Sequence, residues 1–151
     1  LAEKDDLWRQ LRLLTDSLPA HVAYVDREVR YRFVNAKYEE MFKRPLDQIE
    51  GQRLEDLMVP EGYAGSRPYI ERALAGEAVA FNSEFPYPDG PARWLDIRYM
   101  PDVQDGEVLG FYVLALDIEK RVRARFDGLA QTQTWETSYP SAPLRTTARL
   151  R

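Results

Sequence analysis

The stretch YVLALDIEKRVRARF, residues 112–126, changes its hydrophobic periodicity at Asp117. Before Asp117 the side chains alternate as in a β-strand, and after it Ile118, Val122 and Phe126 recur at helical spacing. Neither glycine nor proline separates the two patterns. The stretch therefore predicts a strand that runs directly into a helix. Asp117 is suited to cap that helix by accepting hydrogen bonds from its free amides.

Two Asp-Gly pairs upstream place this strand in a three-stranded antiparallel meander. Asp89-Gly90 and Asp105-Gly106 each lie between alternating apolar segments, which is a strong signal of a β-hairpin. AHVAYVDREVRYRFV, residues 20–34, predicts an earlier hairpin, and residues 37–76 predict a run of helices. The predicted order is β-β-helices-β-β-β-helix, an α+β fold around a five-stranded antiparallel sheet.

The opening residues predict an amphipathic helix with one narrow apolar stripe, followed by Pro19. This leucine stripe consists of Leu7, Leu11, Leu14 and Leu18. Both faces of the last strand are apolar, so both faces of the sheet need cover. We expect the middle helices to cover one face and the leucine stripe, alone or with a partner molecule, to cover the other. Docking on its own domain and packing in a dimer are both compatible with such a helix.

Side-chain alternation along the strands assigns residues to the two faces of the sheet. The face toward the middle helices is a candidate ligand pocket made of Phe81, Ser83, Phe85, Leu95, Ile97, Tyr99, Phe111, Val113 and Ala115. The opposite face, with the leucine stripe, is a candidate dimer surface made of Trp94, Tyr112, Leu114 and Leu116. Small residues on the pocket face leave room either for a cavity or for side chains from the helices. Asp96 and Glu84 are expected to point outward.

Three residues near the longest middle helix complete the pocket candidates: Tyr63, Arg67 and Tyr69. That helix is expected to begin near Ser66, or earlier with a bend at Pro68, and to end at Gly76. Arg67 could bind a carboxylate through both of its terminal nitrogens, but a solvated arginine near a helix start is the favoured interpretation.

The composition excludes several classes of function. The chain has 151 residues, a net charge of -4 and no cysteine. The charge disfavours a nucleic-acid surface, and the lack of cysteine excludes disulfides, thiolate metal sites and thiol catalysis. No apolar run approaches the roughly 20 residues of a membrane helix. We therefore expect a cytoplasmic domain without a metal site or membrane contact. The first residue is Leu1, so we also expect a piece of a longer protein.

Six stretches together resemble the PAS domain family, in particular its bacterial sensory modules. They are the opening helix, LPAHVAYVDREVRYRFVNAKYEEMF, IEGQRLEDLM, RPYIERALAGE, FPYPDGPARWLDIRYMP and DGEVLGFYVLALDIEKR. The resemblance spans about residues 7–125, and ALDIEKR resembles the family's Asp-Ile-Thr signature with Glu119 in place of the threonine. It implies a dimerisation helix at 1–18, a PAS core at 19–117, a signalling helix at 118–130 and a linker or tail at 131–151.

The resemblance implies a sensory module of a signalling protein, such as a two-component histidine kinase or a diguanylate cyclase. We expect such a module to pair as a homodimer, to bind a small ligand or a partner, and to have no enzymatic activity of its own. It would relay the signal through Asp117 and Ile118 to an effector domain. An alternative is a filled core that serves only to pair two chains. A third interpretation is a cone-shaped enzyme of the ketosteroid-isomerase type, but helices that interrupt the strands argue against it.

The cofactors of the family need residues that this chain lacks. Cysteine-linked flavins are excluded, and haem-bearing relatives use a histidine on the long helix, where this chain has none. Its single histidine is His21, at the start of the first strand. Flavin bound without a covalent link has no support in the sequence. We therefore expect no cofactor and leave open an unknown small organic ligand.

Overall fold

A computed structural model describes residues 2–135, with the side chains of residue 3 and of residues 5–129. Five antiparallel strands form one sheet in the order β2-β1-β5-β4-β3. The strands are β1 (Ala20–Asp26), β2 (Tyr31–Val34), β3 (Val79–Phe85), β4 (Arg93–Gln104) and β5 (Glu107–Asp117). The predicted α+β class, the five-stranded antiparallel sheet and the strand order along the chain are confirmed.

Five α-helices and a 3-10 turn at Leu46–Gln48 accompany the sheet. The helices are α1 (Ala2–Thr15), α2 (Lys37–Phe42), α3 (Leu54–Leu57), α4 (Pro60–Leu74) and α5 (Glu119–Trp135). Helix α4 begins at Pro60, not near Ser66, so Pro68 lies inside it and Ser66 is buried. Proline suits this start because its missing amide hydrogen would have no partner in the first turn. None of the helices in residues 2–135 is long and apolar enough to cross a membrane.

The two Asp-Gly pairs form different turns. Asp105 and Gly106 have φ angles of 52° and 80°, and they are the two-residue turn that joins β4 to β5. Asp89 and Gly90 instead lie in a longer loop between β3 and β4. Three prolines in that loop cannot donate to a strand ladder, so the pairing of β3 with β4 stops before the turn.

Helix α1 packs on the outer face of β1 and β2, opposite α2–α4, through an aromatic and a cationic side chain. Trp8 stacks on Phe33 with ring centroids 5.4 Å apart. The Arg12 guanidinium lies 5.0 Å from the centroid of the same ring and pairs with Glu50. Arg12 also donates to the Val34 carbonyl at 3.2 Å. These contacts leave Phe33 only 1% exposed.

The prediction that the leucine stripe covers the outer face is therefore wrong. Leu7, Leu14 and Leu18 are 65%, 70% and 43% exposed, and only Leu11 is half-buried. The face of α1 that carries Trp8 and Arg12 packs on the sheet instead, because it combines a large stacked ring with a cation over an aromatic face. Helix α1 does lie on the expected side of the sheet, but it covers the β1–β2 end and presents its leucines outward.

Helix α5 is longer than the predicted signalling helix. It extends to Trp135, beyond the expected end at residue 130, because residues 129–135 contain neither proline nor glycine. The predicted linker or tail therefore begins later than residue 131. The remaining residues of that tail, including Tyr139, lie outside the described residues.

Candidate ligand pocket and signal-relay junction

The face of the sheet toward α2–α4 encloses a void of only about 30 Å³. Half of the predicted pocket residues line it: Phe85, Leu95, Ile97, Tyr99, Val113 and Ala115. Their side chains share one face, as the alternation predicted, and all are buried. A void of this size holds about one water molecule, so these residues form a packed core.

Side chains from β2, α2 and α3 fill the space that the small sheet residues leave. These side chains are Tyr31, Tyr38, Met41, Leu54 and Met58. Tyr31 and Tyr38 are hydrogen-bonded to each other, and burial raises the pKa of both phenols well above its ordinary value. These residues were not predictable from the sequence, because the pairing of small sheet residues with large helix residues depends on packing between distant segments.

The other pocket candidates lie around the core and not in the void. Arg67 is exposed and its Nε lies 3.1 Å from a Glu71 carboxylate oxygen, so it binds its own helix and not the void. Tyr69 stacks on Phe81 with ring centroids 3.7 Å apart. Phe111 is fully buried, whereas Tyr63 and Ser83 are half-buried. The face of α4 toward the sheet instead carries Ser66, which hydrogen-bonds Tyr99, and Ile70.

The outer face of β4 and β5 remains accessible beside α1. Tyr112 and Leu116 are each 37% exposed and Met100 is 44% exposed. Trp94 and Leu114 are half-buried on the same face. The strand pairing places the four strand residues of the candidate dimer surface on one side of the sheet, where the Arg98–Asp96 ion pair lies among them.

The β5–α5 junction, residues 117–119, is fastened to the neighbouring strand β4. The Ile118 amide donates to the Trp94 carbonyl at 2.9 Å, and the Trp94 amide donates to Glu119 Oε1 at 2.8 Å. Glu119 is only 8% exposed, and its other carboxylate oxygen pairs with Arg123 at 2.8 Å. Two reciprocal hydrogen bonds thus tie the first residues of the helix to one residue of β4.

Asp117 adds a second connection at this junction. Its Oδ1 accepts from the Glu119 amide at 2.9 Å, the contact that the capping prediction specifies. Its Oδ2 pairs with Arg93 of β4. Partial burial would raise the pKa of the Asp117 carboxyl, but the hydrogen bonds from Arg93 and the Glu119 amide outweigh it and lower the pKa. The carboxylate is therefore charged at neutral pH, as an anion at a helix N-terminus should be.

Glu119 stands where the family's signature has a threonine, and the sequence alone did not indicate its contact with β4. A threonine at this position carries a short hydroxyl, whereas the glutamate reaches back to a backbone amide of β4. Among the described residues, no group of three or more His, Cys, Asp or Glu side chains is placed to hold a metal ion.

A family model described as the PAS fold matches residues 15–123, most of the chain. The chain belongs to the PAS-fold family. A search of the curated proteins found no match. The matched range covers the sheet, α2–α4 and the first turn of α5, so the PAS domain includes both the packed core and the β5–α5 junction.

Solved structures with the PAS fold are similar to this chain at low sequence identity. An RNA-binding light-oxygen-voltage receptor matches with a TM-score of 0.66 and 21% identity over 87% of this chain, which spans 38% of that receptor. The PAS domain of the histidine kinase ThkA matches with a TM-score of 0.52 and 19% identity over 66% of this chain and 100% of that domain.

A third similar structure is the N-terminal domain of a diguanylate cyclase with a PAS/PAC sensor from Marinobacter aquaeolei. It matches with a TM-score of 0.56 and 17% identity over 68% of this chain and 97% of that domain. At such identities the likeness establishes the fold alone. The named kinase and cyclase show that PAS domains of this shape occur in signalling proteins with separate effector domains.

Proposed function

We propose that this chain is a cytoplasmic sensory PAS module of a signalling protein, without catalytic activity of its own. It pairs with a second copy and transmits a change in its sheet through α5 to an effector domain. The observation that carries the proposal is the β5–α5 junction, where the Trp94 and Glu119 contacts tie the helix to β4. A flexible loop would absorb a displacement of the sheet, whereas this junction transfers it to the helix.

Removal of the Glu119 carboxylate tests the transfer. Glu119→Ala deprives the Trp94 amide of its acceptor, so amides of the first turn of α5 and of Trp94 should exchange with solvent about tenfold faster. Hydrogen-exchange mass spectrometry measures both segments in one experiment. Lys120→Ala, an exposed change in the same turn, serves as the control. Equal exchange in the two variants would contradict coupling through this residue.

The packed core favours the interpretation in which no ligand or cofactor occupies the inside of the domain. A void of about 30 Å³ is far below the roughly 300 Å³ at which small-molecule pockets begin. His21 lies on β1 with its ring 5.0 Å from that of Tyr38, and it does not line the core void. We therefore propose a PAS module that carries no cofactor in its core.

The lining of the core void also disfavours an enzyme of the ketosteroid-isomerase type. Such an enzyme needs an ionisable carboxyl inside an apolar cone. Among the described residues, the buried carboxyl is that of Glu119, which binds the Trp94 amide and Arg123 and does not line the void. The void itself has no acidic side chain in its lining.

A second copy of this chain is the partner that the outer face favours. Leucines of α1 and apolar residues on the outer face of β4 and β5 are both exposed, so two chains can bury them against each other. A self-complementary surface of this kind produces a dimer with twofold symmetry. The alternative, a module that serves only to pair two chains, predicts the same dimer. It differs from the sensory proposal only because it responds to no ligand or partner.

Charge substitutions on this surface test the dimer. Leu14→Glu on α1 and Met100→Glu on β4 are expected to weaken dimerisation at least about tenfold, because each would bury an unpaired carboxylate. Sedimentation velocity over a range of concentrations measures the change. Val103→Glu places the same charge on an exposed residue near the β4–β5 turn and should leave the dimer intact. If the parent chain is a monomer, or if neither variant weakens the dimer, the proposed dimer surface is refuted.

A further inference from the structure

A groove of about 520 Å³ lies beside α1 on the outer face of the sheet, where β1, β5 and β4 are neighbours. Each of these four elements contributes a side chain to its lining: Trp8 of α1, Tyr24 of β1, Tyr112 of β5 and Asp102 of β4. Its volume lies within the range of about 300–1,000 Å³ found for small-molecule sites. Unlike the void in the core, this groove therefore has room for a ligand.

Three aromatic rings follow one another along the groove. The rings of Trp8 and Tyr24 have centroids 6.0 Å apart, and those of Tyr24 and Tyr112 are 4.8 Å apart, edge to face. Tyr112 is exposed and the other two rings are half-buried, so a ligand in the groove can contact them. The face of an aromatic ring attracts cations, and the neighbouring ring of Phe33 already has the Arg12 guanidinium 5.0 Å from its centroid. This wall therefore favours a ligand with a positive charge.

Asp102 adds a negative charge beside two of these rings. Its Oδ2 accepts from the Tyr24 hydroxyl at 2.7 Å, and its Oδ1 has a weaker contact with Gln104 of the same strand at 3.4 Å. Burial and the charge of Asp102 raise the pKa of both the Tyr24 and the Tyr112 phenols, so both phenols are uncharged at neutral pH. The carboxylate is therefore held in place by a hydroxyl that does not neutralise its charge.

The other charged side chains in the lining of the groove already have partners of opposite charge. Arg32 lies 3.7 Å from Asp26, and Glu50 pairs with Arg12 of α1. Within residues 5–129, whose side chains the structure describes, no lysine or arginine forms an ion pair with Asp102. The groove therefore keeps one uncompensated negative charge next to its aromatic wall. Both features attract a cation, and the carboxylate repels an anion.

We infer that this groove binds a small organic ammonium ion, whose nitrogen pairs with the Asp102 carboxylate and whose apolar part packs on Trp8 and Tyr112. A metal ion fits less well, because it needs roughly six oxygen ligands and this wall is aromatic. The ligand touches α1 through Trp8 and touches the candidate dimer surface through Tyr112, so its binding alters how that surface pairs. This regulatory consequence rests on the function proposed above, whereas the binding itself does not.

The indole N–H signal of Trp8 makes binding in the groove observable by proton–nitrogen NMR. The chain has three tryptophans, and the signal lost in Trp8→Phe identifies the one that lines the groove. The 151-residue chain is titrated at neutral pH with benzylamine, phenethylamine and putrescine, and with the alcohols of the same carbon skeletons. We expect at least one amine to shift the Trp8 signal with saturation. Its alcohol, which has no charge, should bind at least about tenfold more weakly.

Substitutions in the groove test the carboxylate and the aromatic wall separately. Asp102→Asn keeps an acceptor for the Tyr24 hydroxyl but removes the charge, so it should weaken amine binding about tenfold. Asp105→Asn removes the same charge from the turn of the same hairpin, outside the groove, and should leave binding unchanged. Tyr112→Leu removes a ring and should weaken binding about threefold, whereas Tyr112→Phe keeps the ring and should weaken it less.

The amine titrations and the oligomeric state can be measured on the same samples. No saturable shift of the Trp8 signal by any of the amines, or equal binding of an amine and its alcohol, would overturn the ammonium site. Equal affinity of Asp102→Asn and the parent chain would also overturn it, because the amine would then bind elsewhere. Sedimentation velocity separates this inference from the proposed dimer. A dimer that binds no amine refutes the groove alone, and a monomer that binds the amine refutes the dimer alone.

Discussion

Gly110→Ala is expected to lower the free energy of unfolding by about 3 kcal/mol or more. Gly110 lies in β5, between β1 and β4. A Cβ atom at this position would lie 2.3 Å from the Val25 carbonyl oxygen and 2.8 Å from the Tyr24 hydroxyl. The carbonyl belongs to the β1–β5 ladder, so it cannot move without breaking strand pairing.

The absence of a side chain at Gly110 also lets Tyr24 reach across the sheet. Tyr24 extends from β1 over β5, and its hydroxyl donates to Asp102 Oδ2 on β4 at 2.7 Å. Alanine at position 110 would displace this ring and lose the hydrogen bond. Partial burial and the Asp102 contact raise the pKa of the Tyr24 phenol, so the donor keeps its proton throughout the neutral range.

Denaturant unfolding followed by circular dichroism measures the effect against a matched control. Gly65→Ala makes the same substitution on the exposed side of α4, where no atom lies within 4 Å of the new Cβ. Because alanine is the better helix former, this control should stabilise the chain by about 0.5–1 kcal/mol. A cost below about 1 kcal/mol for Gly110→Ala would mean that β1 can shift away from β5, and the close-approach argument would fail.

The strands and the β5–α5 junction were predictable because their signals are local. Alternation fixes which side chains share a face, and the change of period at Asp117 marks a strand that becomes a helix. Gly110 also carried a local signal, since a glycine inside a strand often marks close backbone approach. The apolar pattern of that strand carried its prediction, whereas its glycine went unused.

The placement of α1 and the size of the core void depended on contacts between distant segments. The face with Trp8 and the face with Leu7 are both compatible with an amphipathic helix, and only the position of Phe33 decides between them. Ala115 is equally compatible with a cavity or with a filled core. The outcome depends on whether Tyr31 and Tyr38 enter the same space, which periodicity within one element cannot reveal.

Polar residues whose partners lie in distant segments of the chain were the hardest to recognise. The reach of Glu119 to the Trp94 amide requires the register of β4 against β5, and the sequence does not specify that register. The same limitation applies to Asn35, which follows β2 and reads as an ordinary turn residue. In the folded chain Asn35 is fully buried and connects three segments.

The side chain of Asn35 joins the end of α1 to the start of β1. Its Nδ2 donates to the Thr15 carbonyl at 2.9 Å and to the Ala20 carbonyl at 2.8 Å. Its Oδ1 accepts from the Val22 amide at 3.0 Å. The Thr15 carbonyl belongs to the last turn of α1, where helix carbonyls lack partners within the helix, and it also accepts from the Leu18 amide at 3.1 Å. Asn35 therefore satisfies three backbone groups that the surrounding fold excludes from water.

Asn35→Ala is expected to lower the free energy of unfolding by about 3 kcal/mol or more, because each buried group left without a partner costs about 1–3 kcal/mol. Asn35→Asp keeps the size but faces two carbonyl oxygens with a carboxylate, so it should destabilise the chain at least as much. Asn82→Ala, on the exposed side of β3, is the matched control and should change stability by less than about 0.5 kcal/mol.

Hydrogen exchange distinguishes a local role of Asn35 from a global one. If the side chain holds α1 against β1, then Asn35→Ala should accelerate exchange in the last turn of α1 and at the Val22 amide more than in β4 and β5. Uniform acceleration would indicate that the three hydrogen bonds support the whole fold instead. An unfolding cost below about 1 kcal/mol would contradict both, because water would then be replacing the lost partners in the space the side chain vacates.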